Sequence, residues 1–254
     1  MCYNLAIMTV FYILISVLFV SLLSLLGIFL LSFKKETLGK TIFFLVSFSA
    51  GALLGDAFFH LIPEVTKNGG FSVKIGAFIL GGIFVFLILE KIVCWRHCHV
   101  PTSSVHVHPV GINNLIGDSL HNAIDGMIIA ASFLVSTSLG LATFLAVVFH
   151  EIPQEIGNFG VLVHAGFSRR RALLLNFLTA LFALLGALVV IIFGFGSNLF
   201  ITFVLALTIG GFIYIACADL IPEIHKECRP KHSLAQLVAF LGGIAIMAML
   251  LLLE

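Results

Sequence analysis

Long apolar runs separated by short polar breaks dominate the pattern along this chain. Many of these runs contain about 20 residues, the length that a helix needs to cross a hydrocarbon core about 30 Å thick. Stretches such as 5–31 lack the strict alternation of a membrane β-barrel. The pattern therefore predicts an all-α membrane protein with one domain and eight transmembrane helices, at 5–32, 41–63, 73–94, 111–135, 139–164, 170–193, 198–222 and 234–253.

Composition supports this interpretation, because 61% of the residues are hydrophobic and only 10% are charged. Soluble domains have roughly 45–50% apolar and about 25% charged residues. The net charge of +1 gives no reason to expect a nucleic-acid partner, so the lipid bilayer is the expected environment. The five cysteines are odd in number and scattered, which argues against a disulfide framework.

Basic residues predict the orientation of the helices, since loops rich in Lys and Arg stay in the cytoplasm. All Lys and Arg residues except Lys67 and Lys74 fall into one set of alternate connections. This set would be cytoplasmic and would place both termini outside the cytoplasm. The plasma membrane is the expected location, and a homodimer is one candidate assembly.

The motif Leu-Ile-Pro-Glu occurs twice, at 61–64 and at 220–223. It ends the second and the seventh predicted helix, which run in opposite directions in the predicted topology. The repeat suggests a 3+2+3 arrangement in which helices 1–3 and 6–8 are inverted copies around a central pair. Transporters with a midplane site often have this organisation.

Ionisable and amide side chains are concentrated in the fourth and fifth predicted helices, although such groups are costly inside a bilayer. In the fourth helix, His121 and Asn122 lie four and three residues before Asp125, so all three share one face. His150 and Glu151 have the same spacing to Gln154 in the fifth helix. Pro153 also frees a backbone carbonyl near Phe149, which must find another partner.

Imidazole, carboxylate and amide groups that converge between two helices form a borderline-soft set of ligands. Such a set suits Zn²⁺ and tolerates Fe²⁺, Mn²⁺ or Co²⁺, whereas the lack of thiolate and thioether disfavours Cu⁺. Asp125 and Glu151 together would balance the charge of one divalent ion. The expected metal is a transported substrate, and no catalytic cofactor is expected.

Two other functions compete with metal transport. An intramembrane zinc protease is suggested by His150-Glu151-x-x-Gln154, but the H-E-x-x-H motif requires His at the last position. A seven-helix hydrolase or receptor with a buried zinc ion would require three firm His ligands. Only His121 and His150 lie deep in the predicted core, with His60 as a third possibility, so no enzymatic activity is expected.

With these motifs the chain resembles the ZIP family of zinc/iron-regulated metal transporters. The resemblance rests on D-x-x-H-N-x-x-D-G at 118–126 and on HEIPQE-x-G at 150–157, and it is closest to the subset whose fifth helix reads HEIPHE. It implies transport of divalent metal toward the cytoplasm, with zinc as the main substrate and Cd²⁺ as a further one. A broad iron, manganese and zinc carrier is the alternative. Gln154 replaces the commoner His of the subset.

The resemblance also implies the roles of individual residues. A binuclear site would have one metal position formed by His121, Asp125, His150 and Gln154, joined by His60, and a second formed by Asn122, Asp125, Glu151 and Gln154. The groups expected along the entrance and exit paths are Asp56, Glu64, Asp118, Asp219 and Glu223. In the loop 95–110, the residues expected to hold the released ion are His97, His99, His106 and His108, although a solvated loop with incidental His is the competing interpretation.

Overall fold

The computed structural model describes residues 2–26, 35–67, 69–94 and 109–253. Within these ranges the chain forms eight helical segments and no strand, so the predicted all-α architecture is confirmed. The segments are α1 (Cys2–Leu23, with a 3₁₀ turn Ser24–Leu26); α2 (Lys35–Asp56, π-helical Ala57–Leu61, then Ile62–Thr66); α3 (Val73–Cys94); α4 (Pro109–Val135); α5 (Thr137–His164); α6 (Arg169–Ala180 and Phe182–Gly194); α7 (Asn198–Tyr214, π-helical Ile215–Leu220, then Ile221–His225); and α8 (Pro230–Leu250, with a 3₁₀ turn Leu251–Leu253).

Seven of the described segments are long and apolar enough to cross a membrane. The remaining segment, α4, is 27 residues long, but its Asn, Asp and His residues lower its hydropathy. It packs against α1, α3, α5, α6 and α7 at the centre of the bundle. This polar helix is therefore surrounded by five other helices.

Two helix pairs, α2 with α8 and α3 with α7, cross closely through reciprocal glycines. A Cβ atom added to Gly51 would lie 2.0 Å from the carbonyl oxygen of Phe240, and one added to Gly243 would lie 2.1 Å from that of Phe48. Gly82 and Gly210 make the equivalent approach between α3 and α7. Small residues of this kind allow membrane helices to pack backbone to backbone.

The two Leu-Ile-Pro-Glu motifs have the same local structure. In both α2 and α7 a π-helical stretch ends at the Leu of the motif, and a short α-helical piece follows with Pro in its first turn. These features agree with the predicted inverted repeat, which stays a prediction, as does the single-domain organisation. π-Bulges of this type are frequent at functional sites.

Candidate metal centre

Helices α4 and α5 bring together His121, Asp125, His150 and Glu151, whose potential ligand atoms all lie within 4.8 Å of one another. The Nε2 atom of His150 is 3.2 Å from Oδ2 of Asp125 and 3.5 Å from Oε1 of Glu151. The Nε2 atom of His121 is 3.7 Å from the same Asp125 oxygen and 3.5 Å from the same Glu151 oxygen. The two Nε2 atoms are 3.5 Å apart.

These separations match the geometry of a tetrahedral zinc site. Ligand atoms about 2.0–2.1 Å from a central Zn²⁺ lie about 3.3 Å from one another. The His121 side chain is 13% exposed, whereas His150, Asp125 and Glu151 are at most 1% exposed. The cluster can therefore hold a dication out of contact with lipid while two carboxylates balance its charge.

His150 is oriented by its own helix. Its Nδ1 atom lies 3.2 Å from the carbonyl oxygen of Ala146, which can only accept a hydrogen bond. A proton on Nδ1 satisfies this carbonyl and leaves the lone pair of Nε2 for a metal in the cluster, the arrangement that metal-binding histidines usually have. The ring of Phe212 in α7 packs against His150, and that of Phe86 in α3 packs against His121.

Pro153 interrupts the backbone hydrogen bonds of α5 just beyond the cluster. The carbonyl oxygen of Phe149, four residues earlier, accepts a hydrogen bond from Oγ of Ser49 in α2 at 2.5 Å. Oγ of Ser49 also lies 2.6 Å from the carbonyl oxygen of Leu45, so two acceptors share its one hydrogen. The prediction that this carbonyl finds another partner is confirmed, and the contact fixes α5 against α2 one residue before His150.

A cavity of about 340 Å³ leads away from His121 and His150. It lies between α3, α4, α5 and α7, and its lining residues include Gln154, Asn158, Glu90, Tyr214 and Asp219. These residues lie near the helix ends that are linked by the loops rich in Lys and Arg. This side of the bundle is the one predicted to face the cytoplasm. Toward the opposite end, the cluster is covered by buried apolar side chains, among them Ile128, Ile129, Val147 and Ile209.

The other predicted site residues lie around this centre. Asn122 is fully buried beside His121, and Gln154 lines the cavity. His60 is not part of the cluster of four; its Nε2 atom lies 2.9 Å from the carbonyl oxygen of Met247 in α8. Asp56 is fully buried one turn earlier in α2.

The remaining acidic residues are divided between the two ends of the bundle. Glu64 lines a separate cavity of about 410 Å³ near the opposite helix ends, together with Asn198 and Thr202. Asp219 lies in the cavity that leads from the cluster, and Glu223 is exposed and paired with Lys226. The loop histidines His97, His99, His106 and His108 lie outside the described residues.

Sequence reasoning missed several polar groups beside the cluster. Glu155 is fully buried, and its Oε2 atom accepts a hydrogen bond from Nδ2 of Asn176 in α6 at 2.5 Å. Asn158 and Thr179 donate hydrogen bonds to Asp118. Helical spacing could have indicated two of them, because Glu155 lies four residues after Glu151 and Asn158 lies four after Gln154.

Comparison with known proteins agrees with this centre. The family described as "ZIP Zinc transporter" matches residues 7–110 and 96–251. The chain belongs to the ZIP zinc transporter family. Within the family it is similar to zinc transporter ZIP13 of Pongo abelii, with 38% identity over 81% of this chain and 65% of that protein.

Other ZIP relatives show the same relationship. Human zinc transporter ZIP13 is 33% identical over 81% of this chain and 69% of its own length. Mouse zinc transporter SLC39A7 is 28% identical over 83% of this chain and 62% of that protein. The chain thus spans slightly less than two thirds of the Pongo and mouse proteins. Its assignment to the subset with a HEIPHE-like fifth helix stays a prediction.

Proposed function

We propose that this ZIP protein carries Zn²⁺ across a membrane through the cluster of His121, Asp125, His150 and Glu151. The observation that carries the proposal is the set of 3.2–3.7 Å separations between their donor atoms, which fits the edges of a zinc tetrahedron. The ZIP relatives are named zinc transporters, which supports zinc as the substrate. Fe²⁺, Mn²⁺, Co²⁺ and Cd²⁺ are the competing substrates for the same ligands.

The proposed direction is toward the cytoplasm. The cavity from His121 and His150 would be the exit in this direction, because it extends to the helix ends that carry the basic connections. The apolar residues on the other side would close the site while this cavity is open. Transport then requires a second conformation in which this seal opens and the cavity closes. The predicted topology, with both termini outside the cytoplasm, belongs to this proposal, as do the plasma membrane location and the homodimer.

A second metal position is proposed beside the first, formed by Asn122, Asp125, Glu151 and Gln154. Support comes from buried oxygen atoms that have no hydrogen-bond donor within the described residues, on Asn122, Asp125 and Glu151. Buried polar atoms are normally paired, and a cation would provide the missing partner. Gln154 would add an amide oxygen, which is a harder ligand than imidazole.

Hydrolysis is a weaker alternative. In an H-E-x-x-H enzyme the Glu serves as general base and does not bind the metal. Here Oε1 of Glu151 lies 3.5 Å from Nε2 of both His121 and His150, the distance expected between two ligands of one ion. This geometry and the transporter names of the relatives both favour a carrier.

Uptake of labelled zinc into vesicles that contain the purified protein tests the proposal. Wild-type protein should give saturable uptake, and Asp125→Ala should reduce it by more than about tenfold, because a charged ligand is lost. His225→Ala is the matched control, since this exposed histidine lies at the end of α7 outside the cluster, and it should leave uptake unchanged. Unchanged uptake by Asp125→Ala would refute the site, and wild-type uptake no greater than that of empty vesicles would refute zinc transport.

A further inference from the structure

The carboxylate of Asp118 receives hydrogen bonds from three helices. Nδ2 of Asn158 in α5 lies 2.5 Å from its Oδ1 atom, and Oγ1 of Thr179 in α6 lies 2.5 Å from its Oδ2 atom. From one turn further along α4, Nδ2 of Asn122 lies 3.2 Å from Oδ1 and 3.0 Å from the backbone oxygen of Asp118. Only 5% of Asp118 is exposed.

These contacts determine which way the neighbouring amides face. A carboxylate and a backbone carbonyl only accept hydrogen bonds, so the atoms that Asn122 and Asn158 present to Asp118 must be their NH₂ groups. The carbonyl oxygen of Asn158 in turn accepts a hydrogen bond from Asn114 at 3.3 Å. The carbonyl oxygen of Asn122 faces away from Asp118 and is buried, with no hydrogen-bond donor within the described residues.

We propose that Asp118 is a positioning residue for the transported ion, acting through Asn122. By holding both Asn122 hydrogens, it keeps the carbonyl oxygen of Asn122 available to a cation next to His121. An amide turned by 180° would present its NH₂ group, which repels a cation. This inference rests on the proposed function, and it adds to the expected role of Asp118 on the entrance or exit path, because Asp118 also lines the cavity that leads from the cluster.

The geometry around Thr179 makes a conservative test possible. Its hydroxyl has one hydrogen but lies 2.5 Å from Oδ2 of Asp118 and 2.8 Å from the backbone oxygen of Asn176. In Asp118→Asn, the remaining oxygen still accepts from Asn122 and Asn158, and the new NH₂ group donates to Thr179, whose hydrogen then goes to Asn176. Asp118→Leu has a similar size but removes every acceptor of the side chain.

The experiment measures KM and maximal rate for zinc uptake per folded protein in vesicles. Asp118→Leu should raise KM by about tenfold or more with a maximal rate within about threefold of wild type, and Asp118→Asn should keep KM within about threefold. Asn122→Ala should raise KM. Adding Asp118→Leu to Asn122→Ala should cause no further rise, because both substitutions act on the same contact between the Asn122 oxygen and the ion. Asp118→Ser, whose side chain is too short to hold the Asn122 amide, takes the place of Asp118→Leu if the leucine variant does not fold.

Three results would overturn the inference while wild-type uptake and its dependence on Asp125 persist. An Asp118→Asn variant as defective as Asp118→Leu would mean that the charge of Asp118 itself binds the ion. A lower maximal rate or less folded protein with unchanged KM would mean a structural role only. Additive effects of Asp118→Leu and Asn122→Ala on KM would mean that Asp118 does not act through Asn122. Loss of wild-type uptake would instead refute the proposed function.

Discussion

The hydroxyl of Ser49 donates a hydrogen bond to the carbonyl oxygen of Phe149, the backbone group that Pro153 deprives of its helical partner. We expect Ser49→Ala to lower the free energy of unfolding by about 1 kcal/mol, because this carbonyl then lacks a donor. Pro153→Ala restores a backbone N–H to the helix. Ser49→Ala should therefore lower the free energy of unfolding by less in a protein that also carries Pro153→Ala. Reversible denaturation in mixed micelles measures both differences. Equal costs in the two backgrounds would contradict the pairing.

The crossing of α3 and α7 provides a test with adjacent residues. A Cβ atom at Gly82 would lie 2.1 Å from the carbonyl oxygen of Leu207, whereas one at Gly81 would meet nothing within 4 Å. Gly82→Ala should therefore lower the free energy of unfolding by about 1–3 kcal/mol through overpacking. Gly81→Ala should leave it unchanged or raise it by up to about 1 kcal/mol, because alanine is the better helix former. Similar destabilisation by both variants would argue against this crossing.

Gln154→His should change metal selectivity, because imidazole is a softer ligand than an amide oxygen. The variant should favour zinc over iron and manganese more strongly than wild type does. Competition uptake, in which each metal displaces labelled zinc from transport, measures the order of preference. An unchanged order would show that Gln154 does not contact the ion.

Glu151→Gln distinguishes a carrier from a hydrolase. If Glu151 is a metal ligand, losing its charge should weaken zinc binding by more than about tenfold and slow uptake in parallel. A general base that does not touch the metal would give the opposite pattern, with zinc binding retained and only a chemical step lost. Equilibrium zinc binding to the purified variant decides between them, and Asp219→Asn in the cavity serves as a matched carboxylate control. We expect Asp219→Asn to retain most of the binding.

Much of the fold follows from the sequence because the bilayer leaves few choices. Apolar runs of sufficient length must become helices there, since backbone groups have no water to bind. The carbonyl freed by Pro153 is a second case, because a proline in a helix interior has a known consequence four residues earlier. Its partner Ser49 was not predictable, since the contact depends on how α2 packs against α5.

The cluster was also predictable only in part, because some of its contacts lie within one helix and others depend on how two helices pack. Helical spacing places His121 with Asp125 in α4 and places both His150 and Glu151 near Gln154 in α5. Only the packing of α4 on α5 sets the distances within the cluster of four. His60 shows the limit of the approach. Its ring nitrogen contacts the Met247 carbonyl in α8, a relationship between distant parts of the chain that no local pattern contains.

The surroundings of Asp118 were predictable only for one of its three partners. Its partner Asn122 follows from i,i+4 spacing, but Asn158 and Thr179 come from α5 and α6, whose rotation about their axes is fixed by tertiary packing. A single acidic residue in a motif gives no indication of whether it faces an ion or three hydrogen-bond donors. The three donors give Asp118 a second interpretation, as a support for a ligand, in addition to its place in the lining of the cavity.

The one-sided cavity has an electrical consequence. Water that enters this cavity would conduct, so little of the transmembrane voltage would fall between the cluster and the basic helix ends. Nearly all of it would fall across the apolar layer at Ile128, Val147 and Ile209. A dication that crosses this layer gains or loses about 4.6 kcal/mol per 100 mV. In this conformation, membrane potential would therefore act on the capture of the ion from the far side and hardly at all on its release.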